Sequence, residues 1–111
     1  MDRIYEEDLA YVQALGFGTG ARRAAPEIVR RLRSAQCAVR RVVDAGCGAG
    51  PLTVVLTAEG FAVTGIDCSE ELLAKARAAA PGAQFVRGSI HEVPLPECEA
   101  IAAIGEPLTY Y

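Results

Sequence analysis

One run of nine residues, VVDAGCGAG at positions 42–50, constrains the fold more than any other segment of the chain. It begins as an apolar strand, ends that strand in the acid Asp44, and then places glycines at alternate positions, Gly46, Gly48 and Gly50. Glycine adopts positive φ angles and lets a ligand approach the backbone, because it has no Cβ. A simple turn rarely needs three such residues. The run therefore predicts a buried strand followed by a loop that wraps a ligand.

An alternation of strand-like and helical patterns surrounds this loop. Helical patterns over 51–59 and 69–80 fill the first two gaps between strand-like runs at 39–45, 61–66, 83–86 and 100–104. Parallel strands joined by right-handed crossovers form a doubly wound α/β sheet, here with the expected strand order 3-2-1-4. The ligand crevice of such a sheet lies at the carboxyl ends of the strands, which places it above the glycine loop.

The two ends of the chain frame this core. Residues 1–38 are predicted to be a helical lead-in that includes an amphipathic helix over 26–35, and residues 1–111 are expected to form one domain. The last crossover, 88–99, holds two prolines and predicts a loop. The chain stops just past the fourth strand, which predicts a fragment, a truncated product or a chain completed by a partner. It would also leave that strand as an exposed edge open to self-association.

Composition and charge exclude several classes of protein. The formal net charge of −3 argues against a nucleic-acid partner, although seven of the eleven basic residues fall between positions 22 and 41. That cluster is either a solvated helix face or a patch for an anionic ligand. The four cysteines lack metal-ligand spacing, so we expect free thiols, no metal and a cytoplasmic location. No apolar run is long enough to cross a membrane.

The glycine loop alone does not identify a ligand, because dinucleotide-binding folds place GxGxxG at the same point to receive a pyrophosphate. Here Pro51 stands where the third glycine of that fingerprint would be. The carboxylate of Asp44 would repel a pyrophosphate, whereas it would attract a ligand that carries an ammonium and a sulfonium group. The charge pattern favours S-adenosylmethionine over NAD, and a nicotinamide-dependent reductase is the less favoured alternative.

Asp67 ends the second predicted strand, about twenty residues after the first glycine of the loop, where an acid can accept hydrogen bonds from a ribose diol. The alternative interpretation is a helix cap. Ser69 already suits that role, so we interpret Asp67 as a ribose ligand.

Taken together, these segments resemble the class I S-adenosylmethionine-dependent methyltransferases, which have a Rossmann-like fold. The resemblance runs through VVDAGCGAG, VTGIDCSEELLAKARAAAPGA, FVRGSIHEVPL and AIAAIGEPLTYY, and so covers nearly the whole chain. The lead-in DLAYVQALGFGTGARRAAPEIV is similar to that of some small bacterial members, in which a Gly-Phe-Gly segment lies near the cofactor. Phe17 occupies the centre of that segment here.

The resemblance implies roles for individual residues. Asp44 and the loop residues Gly46, Cys47, Gly48 and Gly50 would hold the methionine part of the cofactor, and Asp67 its ribose. Cys68 and Ile90 would flank the adenine, and Gly105 would face the transferred methyl group. Ser89 departs from the family pattern, which commonly has an aspartate there to accept from the adenine amino group. A serine hydroxyl accepts more weakly, so reduced cofactor affinity is expected.

Reaction chemistry follows from the same resemblance. The methyl group would pass by in-line displacement from the sulfonium to a small-molecule acceptor, and the residues would contribute mostly by positioning. Glu106 is a candidate base or, equally, a solvated loop carboxylate, whereas His91 is expected at the surface. A non-catalytic, degenerate cofactor-binding half-domain is the main alternative function.

Overall fold

The computed structural model describes residues 10–14 and 20–104. Five parallel strands form one sheet in the order β1-β5-β2-β3-β4, and three helices lie between them. The predicted order 3-2-1-4 corresponds to β4-β3-β2-β5 and is confirmed. In chain order the elements are β1 (Ala10–Ala14), α1 (Gly20–Arg33), β2 (Arg41–Ala45), α2 (Pro51–Ala58), β3 (Ala62–Asp67), α3 (Glu70–Ala79), β4 (Gln84–Arg87) and β5 (Ala100–Ile104).

Strand β1 departs from the prediction. It lies within the lead-in that was expected to be helical, and it pairs along the outer edge of β5, with Ala10 opposite Ala100 and Ala14 opposite Ile104. The expectation of an exposed edge at β5 is therefore wrong, because β1 supplies partners for the backbone amides and carbonyls on that side. The side chain of Ile101 in β5 is also buried, at 5% exposure.

Helix α1 begins at Gly20, upstream of the predicted start, so that Pro26 lies inside it. Proline in a helix interior removes one hydrogen bond and is tolerated only where other interactions compensate. Here Pro26 is on the exposed side, while Ala25, Ile28 and Leu32 form a buried face against the sheet. The burial of this face explains why the helix continues through the proline.

The sheet buries apolar side chains on both faces. The parallel register aligns Val42 with Val63 and with Ala100 on the face that α1 and α2 cover. Val43 and Ile101 point to the other face, where they pack in a cluster with side chains of the 88–99 crossover, namely Ile90, Val93 and Leu95. That crossover is a loop, as predicted, and it covers the second face beside the carboxyl ends of the strands.

Helices α2 and α3 follow the predicted patterns with one informative difference. Leu52 and Leu56 of α2 are buried as expected, but the third fully buried residue is Thr53 instead of Val55. In α3, the backbone N–H of Leu72 donates to the Ser69 hydroxyl at 3.1 Å, which confirms the predicted cap. A hydroxyl group thus lies on the apolar side of the helix that follows the glycine loop.

Candidate functional site

The glycine loop between β2 and α2 has the backbone conformation that its sequence predicts. Gly46, Gly48 and Gly50 have φ angles of 68°, 58° and 92°, in the region that L-residues with a Cβ rarely adopt. At Gly50 the space is also taken, since an added Cβ would lie 3.0 Å from the Cβ of Ala76. Glycine at this position lets the start of α2 pack directly against α3.

Backbone hydrogen bonds fix this loop to the end of β3. The N–H groups of Gly46 and Cys47 both donate to the carbonyl of Ile66, at 2.7 and 3.0 Å. The Cys47 thiol packs over Gly65, where a Cβ would come within 2.8 Å of its sulfur. Burial and the neighbouring Asp44 and Asp67 carboxylates raise the pKa of Cys47 to about 12. The thiol stays protonated at neutral pH and acts as a packing group.

Asp67 connects the glycine loop to the start of α3. Its Oδ2 accepts a hydrogen bond from the backbone N–H of Gly48 at 2.8 Å, and its Oδ1 accepts from that of Ser69 at 2.9 Å. Its carbonyl accepts from the N–H of Gly88, just past β4. A carboxylate has about four acceptor sites, so two backbone donors leave capacity for the hydroxyls of a ligand. Asp67 therefore holds the loop and can also bind a diol.

A cleft of about 290 Å³ opens at the carboxyl ends of the strands. Five of the predicted site residues line it: Gly46, Asp67, Cys68, Ser89 and Ile90. The described lining also includes three residues that the sequence did not mark as ligand contacts, namely Ile66, Gly88 and His91. His91 is exposed, as predicted, but it is also at the cleft. The sequence could have indicated all three by their position, because each is adjacent to a predicted site residue.

Ser89 shapes the turn that forms one wall of this cleft. Its hydroxyl oxygen accepts from the backbone N–H of His91 at 3.1 Å, and its carbonyl accepts from that of Val93 at 2.8 Å. The hydroxyl hydrogen is not used in these bonds, so Ser89 can still donate to a ligand.

Asp44 lies beneath the glycine loop and not in the cleft lining. It is 2% exposed, and the Thr53 hydroxyl donates to its Oδ2 at 2.6 Å. Burial raises the pKa of Asp44 to about 7; the hydrogen bond from Thr53 opposes this shift and the charge of Asp67 adds to it. Its assigned role in holding the methionine part of a cofactor stays a prediction. The same is true of Cys47, Gly48 and Gly50, which are absent from the described lining.

Thr53 was missed by sequence reasoning. Its signal is a polar residue on the sheet-facing side of a helix, three positions after the last loop glycine and nine after the strand-ending acid. That spacing brings the first turn of α2 over the end of β2.

Four of the seven arginines between positions 22 and 41 are paired with carboxylates. Arg30 and Arg31 both bind Glu27, and Arg33 binds Glu59. Arg41 likewise binds Glu97 and Glu99. These pairs favour the solvated helix face over a patch for an anionic ligand.

Some predicted features fall elsewhere. Phe17, Gly105 and Glu106 lie outside the described residues. Within residues 10–14 and 20–104, no group of histidine, cysteine or acidic side chains could hold a metal ion. In that same part of the chain, no helix is long and apolar enough to span a membrane.

Comparison with known proteins agrees with this geometry. The chain is 41% identical over 78 residues to the trans-aconitate 2-methyltransferase of Delftia acidovorans, a match that covers 68% of this chain and 28% of the relative. It is 36% identical over 74 residues to the malonyl-[acyl-carrier protein] O-methyltransferase of Enterobacter lignolyticus, covering 67% and 29%. The chain thus spans less than a third of the length of either relative.

Solved structures share the fold. The S-adenosylmethionine-bound amino pentose methyltransferase CalS10 from Micromonospora echinaspora aligns with a TM-score of 0.73 and 25% identity, over 85% of this chain and 40% of that one. DesVI from Streptomyces venezuelae aligns with a TM-score of 0.68, also at 25% identity, over 78% and 37%. The family model described as "Methyltransferase domain" matches residues 42–111, which is more than half of the chain. The chain therefore belongs to the methyltransferase domain family, among the class I S-adenosylmethionine-dependent methyltransferases.

Proposed function

We propose that this chain supplies the S-adenosylmethionine-binding part of an enzyme that methylates a small molecule. The observation that carries the proposal is the cleft at the end of β3, where Asp67 holds the glycine loop and keeps free acceptor capacity. A small-molecule acceptor is supported by the relatives, whose names include a trans-aconitate and an amino pentose methyltransferase.

The residues of the cleft fit the adenosine part of this cofactor. The Asp67 carboxylate suits the two ribose hydroxyls, since both of its oxygens are fixed in position by backbone N–H donors. Cys68 and Ile90 offer apolar surface to the adenine ring. Ser89 offers a hydroxyl that can donate to a ring nitrogen, where an aspartate could only accept. The site thus provides a polar anchor for the sugar and a largely apolar slot for the base.

S-adenosylmethionine supplies an electrophilic methyl group on a sulfonium centre. This chain orients that group and shields it from water. Holding two reactants in the correct geometry accelerates a bimolecular reaction. Asp67 and the glycine loop would hold the ribose and the amino-acid tail on either side of the sulfur. Glu106 is the proposed base for an acceptor that must lose a proton. The free thiols of Cys47, Cys68 and Cys98 agree with a proposed cytoplasmic location.

Binding of S-adenosylhomocysteine to the whole chain, measured by calorimetry, tests the proposal. We expect saturable binding that Asp67→Ala weakens by about 100-fold, because two hydrogen bonds to a charged acceptor are lost. Glu97→Gln is the matched control, since Glu97 is an exposed acid at the opposite end of the sheet. Failure of S-adenosylhomocysteine to bind, or preferential binding of NADH, would contradict the proposal.

Transfer of a labelled methyl group separates the two methyltransferase-like functions. Turnover with a panel of small carboxylic acids and amino sugars supports the enzyme. Detected turnover also excludes the degenerate half-domain.

A further inference from the structure

The hydrogen bond between Thr53 and Asp44 closes the glycine loop at its base. Asp44 is near the end of β2 and Thr53 is in the first turn of α2, and the five loop residues 46–50 lie between them in the chain. Thr53 is completely buried, at 0% exposure, and Asp44 is nearly so. A short hydrogen bond between two buried groups fixes the distance between the strand end and the helix start, and hence the span that the loop must cover.

The surroundings of Asp44 contain no compensating positive charge among the described residues. The adjacent strands place Gly65 and Ala102 beside it. The titratable groups that act on it or on the neighbouring loop are Asp67 at the end of β3 and Cys47 in the loop itself, and neither is basic. His91 and Cys68 in the described lining of the cleft are the other titratable groups that a bound ligand would meet. An ionised Asp44 is thus supported by the Thr53 hydroxyl and would be stabilised further by a cationic ligand.

We infer that Thr53 is a positioning residue of the proposed cofactor site, which holds the Asp44 carboxyl group beneath the glycine loop so that its ionisation is coupled to binding of the cofactor's cationic end. The inference rests on the proposed function, because the cation is the ammonium group that S-adenosylmethionine and S-adenosylhomocysteine share. It goes beyond that function by assigning a role to a helix residue outside the cleft lining.

The sign of the coupling follows from the charges. Without ligand, the pKa of Asp44 is raised to about 7, so part of the population is protonated at neutral pH. A cation near the carboxylate lowers that pKa, and binding then releases a proton. Affinity should therefore increase with pH. If the complex is fully ionised, affinity rises about tenfold between pH 6 and pH 8.

Calorimetric titration of the whole chain with S-adenosylhomocysteine between pH 6 and pH 8 tests the inference. In Thr53→Val the supporting hydrogen bond is lost, so we expect the midpoint of the pH profile to move up by about one pH unit, with about fivefold weaker binding at pH 7. Thr53→Ser retains a hydroxyl and should restore the wild-type profile. Buffers with different ionisation heats report the proton released at each pH.

The same helix offers a matched control. Thr57 also has a buried hydroxyl oxygen, but that atom has no hydrogen-bond partner within the described part of the chain. Thr57→Val makes the same chemical change on α2 without touching Asp44, and it should leave the pH profile unchanged. His91→Gln tests a titratable group of the cleft itself and should also leave the rise in affinity in place.

Asp44→Asn provides a second test that does not depend on how well Thr53→Val folds. The amide can still accept from Thr53 but cannot ionise, so its pH profile should be flat between pH 6 and pH 8. If wild type binds but Asp44→Asn keeps the full pH dependence, or Thr53→Val matches Thr57→Val, the inference is overturned while the proposed function stands. Absence of binding to wild type at every pH overturns both.

Discussion

The two ends of the parallel sheet treat their acidic residues in opposite ways. At the amino ends of the strands, Glu99 accepts from the backbone N–H groups of Arg40 and Arg41 and pairs with the Arg41 guanidinium. At the carboxyl ends, Asp44 and Asp67 accept hydrogen bonds from a hydroxyl and from backbone amides. Within the described residues, neither of these two aspartates forms an ion pair with an arginine or lysine.

Their acid–base properties differ in the same way. Burial opposes ionisation of Glu99, but hydrogen bonds from Arg41 and the adjacent backbone outweigh it and lower its pKa. The pKa of Asp44 is raised, chiefly by burial. The amino-end carboxylate of Glu99 is thus paired with an arginine within the fold, whereas Asp44 and Asp67 at the carboxyl ends form no ion pair within the described residues and lie beside the proposed cofactor site.

The largest expected effect tests the cost of the buried aspartate. Because the folded pKa of Asp44 lies above its unfolded value, its contribution to stability is complete below the unfolded pKa and is lost as pH rises through the folded pKa. From pH 5 to pH 8 this loss amounts to about 3 kcal/mol of the free energy of unfolding. In Asp44→Asn this dependence of the free energy of unfolding on pH should be absent, as measured by urea denaturation at both pH values. If the free energies of unfolding of wild type and Asp44→Asn differ by the same amount at both pH values, the assignment of a raised pKa is contradicted.

Two glycines allow the packing at the two ends of the sheet to be compared. Gly50 at the carboxyl end and Gly60 at the amino end have similar φ angles, 92° and 98°. An added Cβ would press against Ala76 at Gly50 but would meet nothing within 4 Å at Gly60. Backbone strain is common to both alanine variants, so Gly50→Ala should destabilise the protein by about 2 kcal/mol more than Gly60→Ala.

Thermal denaturation of both variants measures this difference. Cofactor affinity should also fall only in Gly50→Ala, because the displaced helix start carries Thr53. Equal losses of stability would show that α2 and α3 can separate enough to admit the added Cβ without further destabilisation.

The smallest effect is expected at the amino end. Glu99→Gln keeps an acceptor for the backbone N–H groups but loses the charge that Arg41 binds, at a cost of about 1 kcal/mol at pH 7. Since the folded pKa of Glu99 is lowered, this contribution is lost as pH falls, the reverse of the Asp44 case. Melting curves at pH 3 and pH 7 should differ between wild type and variant only at pH 7. Binding of S-adenosylhomocysteine should be unaffected, and a weakened affinity would remove the functional contrast between the two ends.

The parts of the fold that the sequence predicts are those with local causes. Alternating strand and helix patterns predict the order of four strands. Ser69 predicts the start of α3, because a capping residue forms its hydrogen bond with the helix that follows it. Strand β1 was missed because its partner, β5, is distant in the chain. The five residues of β1 alone do not indicate this pairing. Asp67 was found because it ends a strand beside the loop. The bond from Thr53 to Asp44 was not, because a hydroxyl on an apolar helix face does not disclose which acid it reaches.

The strand order also has a consequence for how the chain acquires its structure. Because β5 lies between β1 and β2, the first described strand has no partner until the last one has been synthesised. Pairing of β1 with β5 closes a loop that contains nearly all of the described chain, and contacts of that separation form slowly. On the ribosome, β2, β3 and β4 with their helices can assemble first. The edge of β2 that pairs with β5 is then covered only after this first part of the sheet has formed.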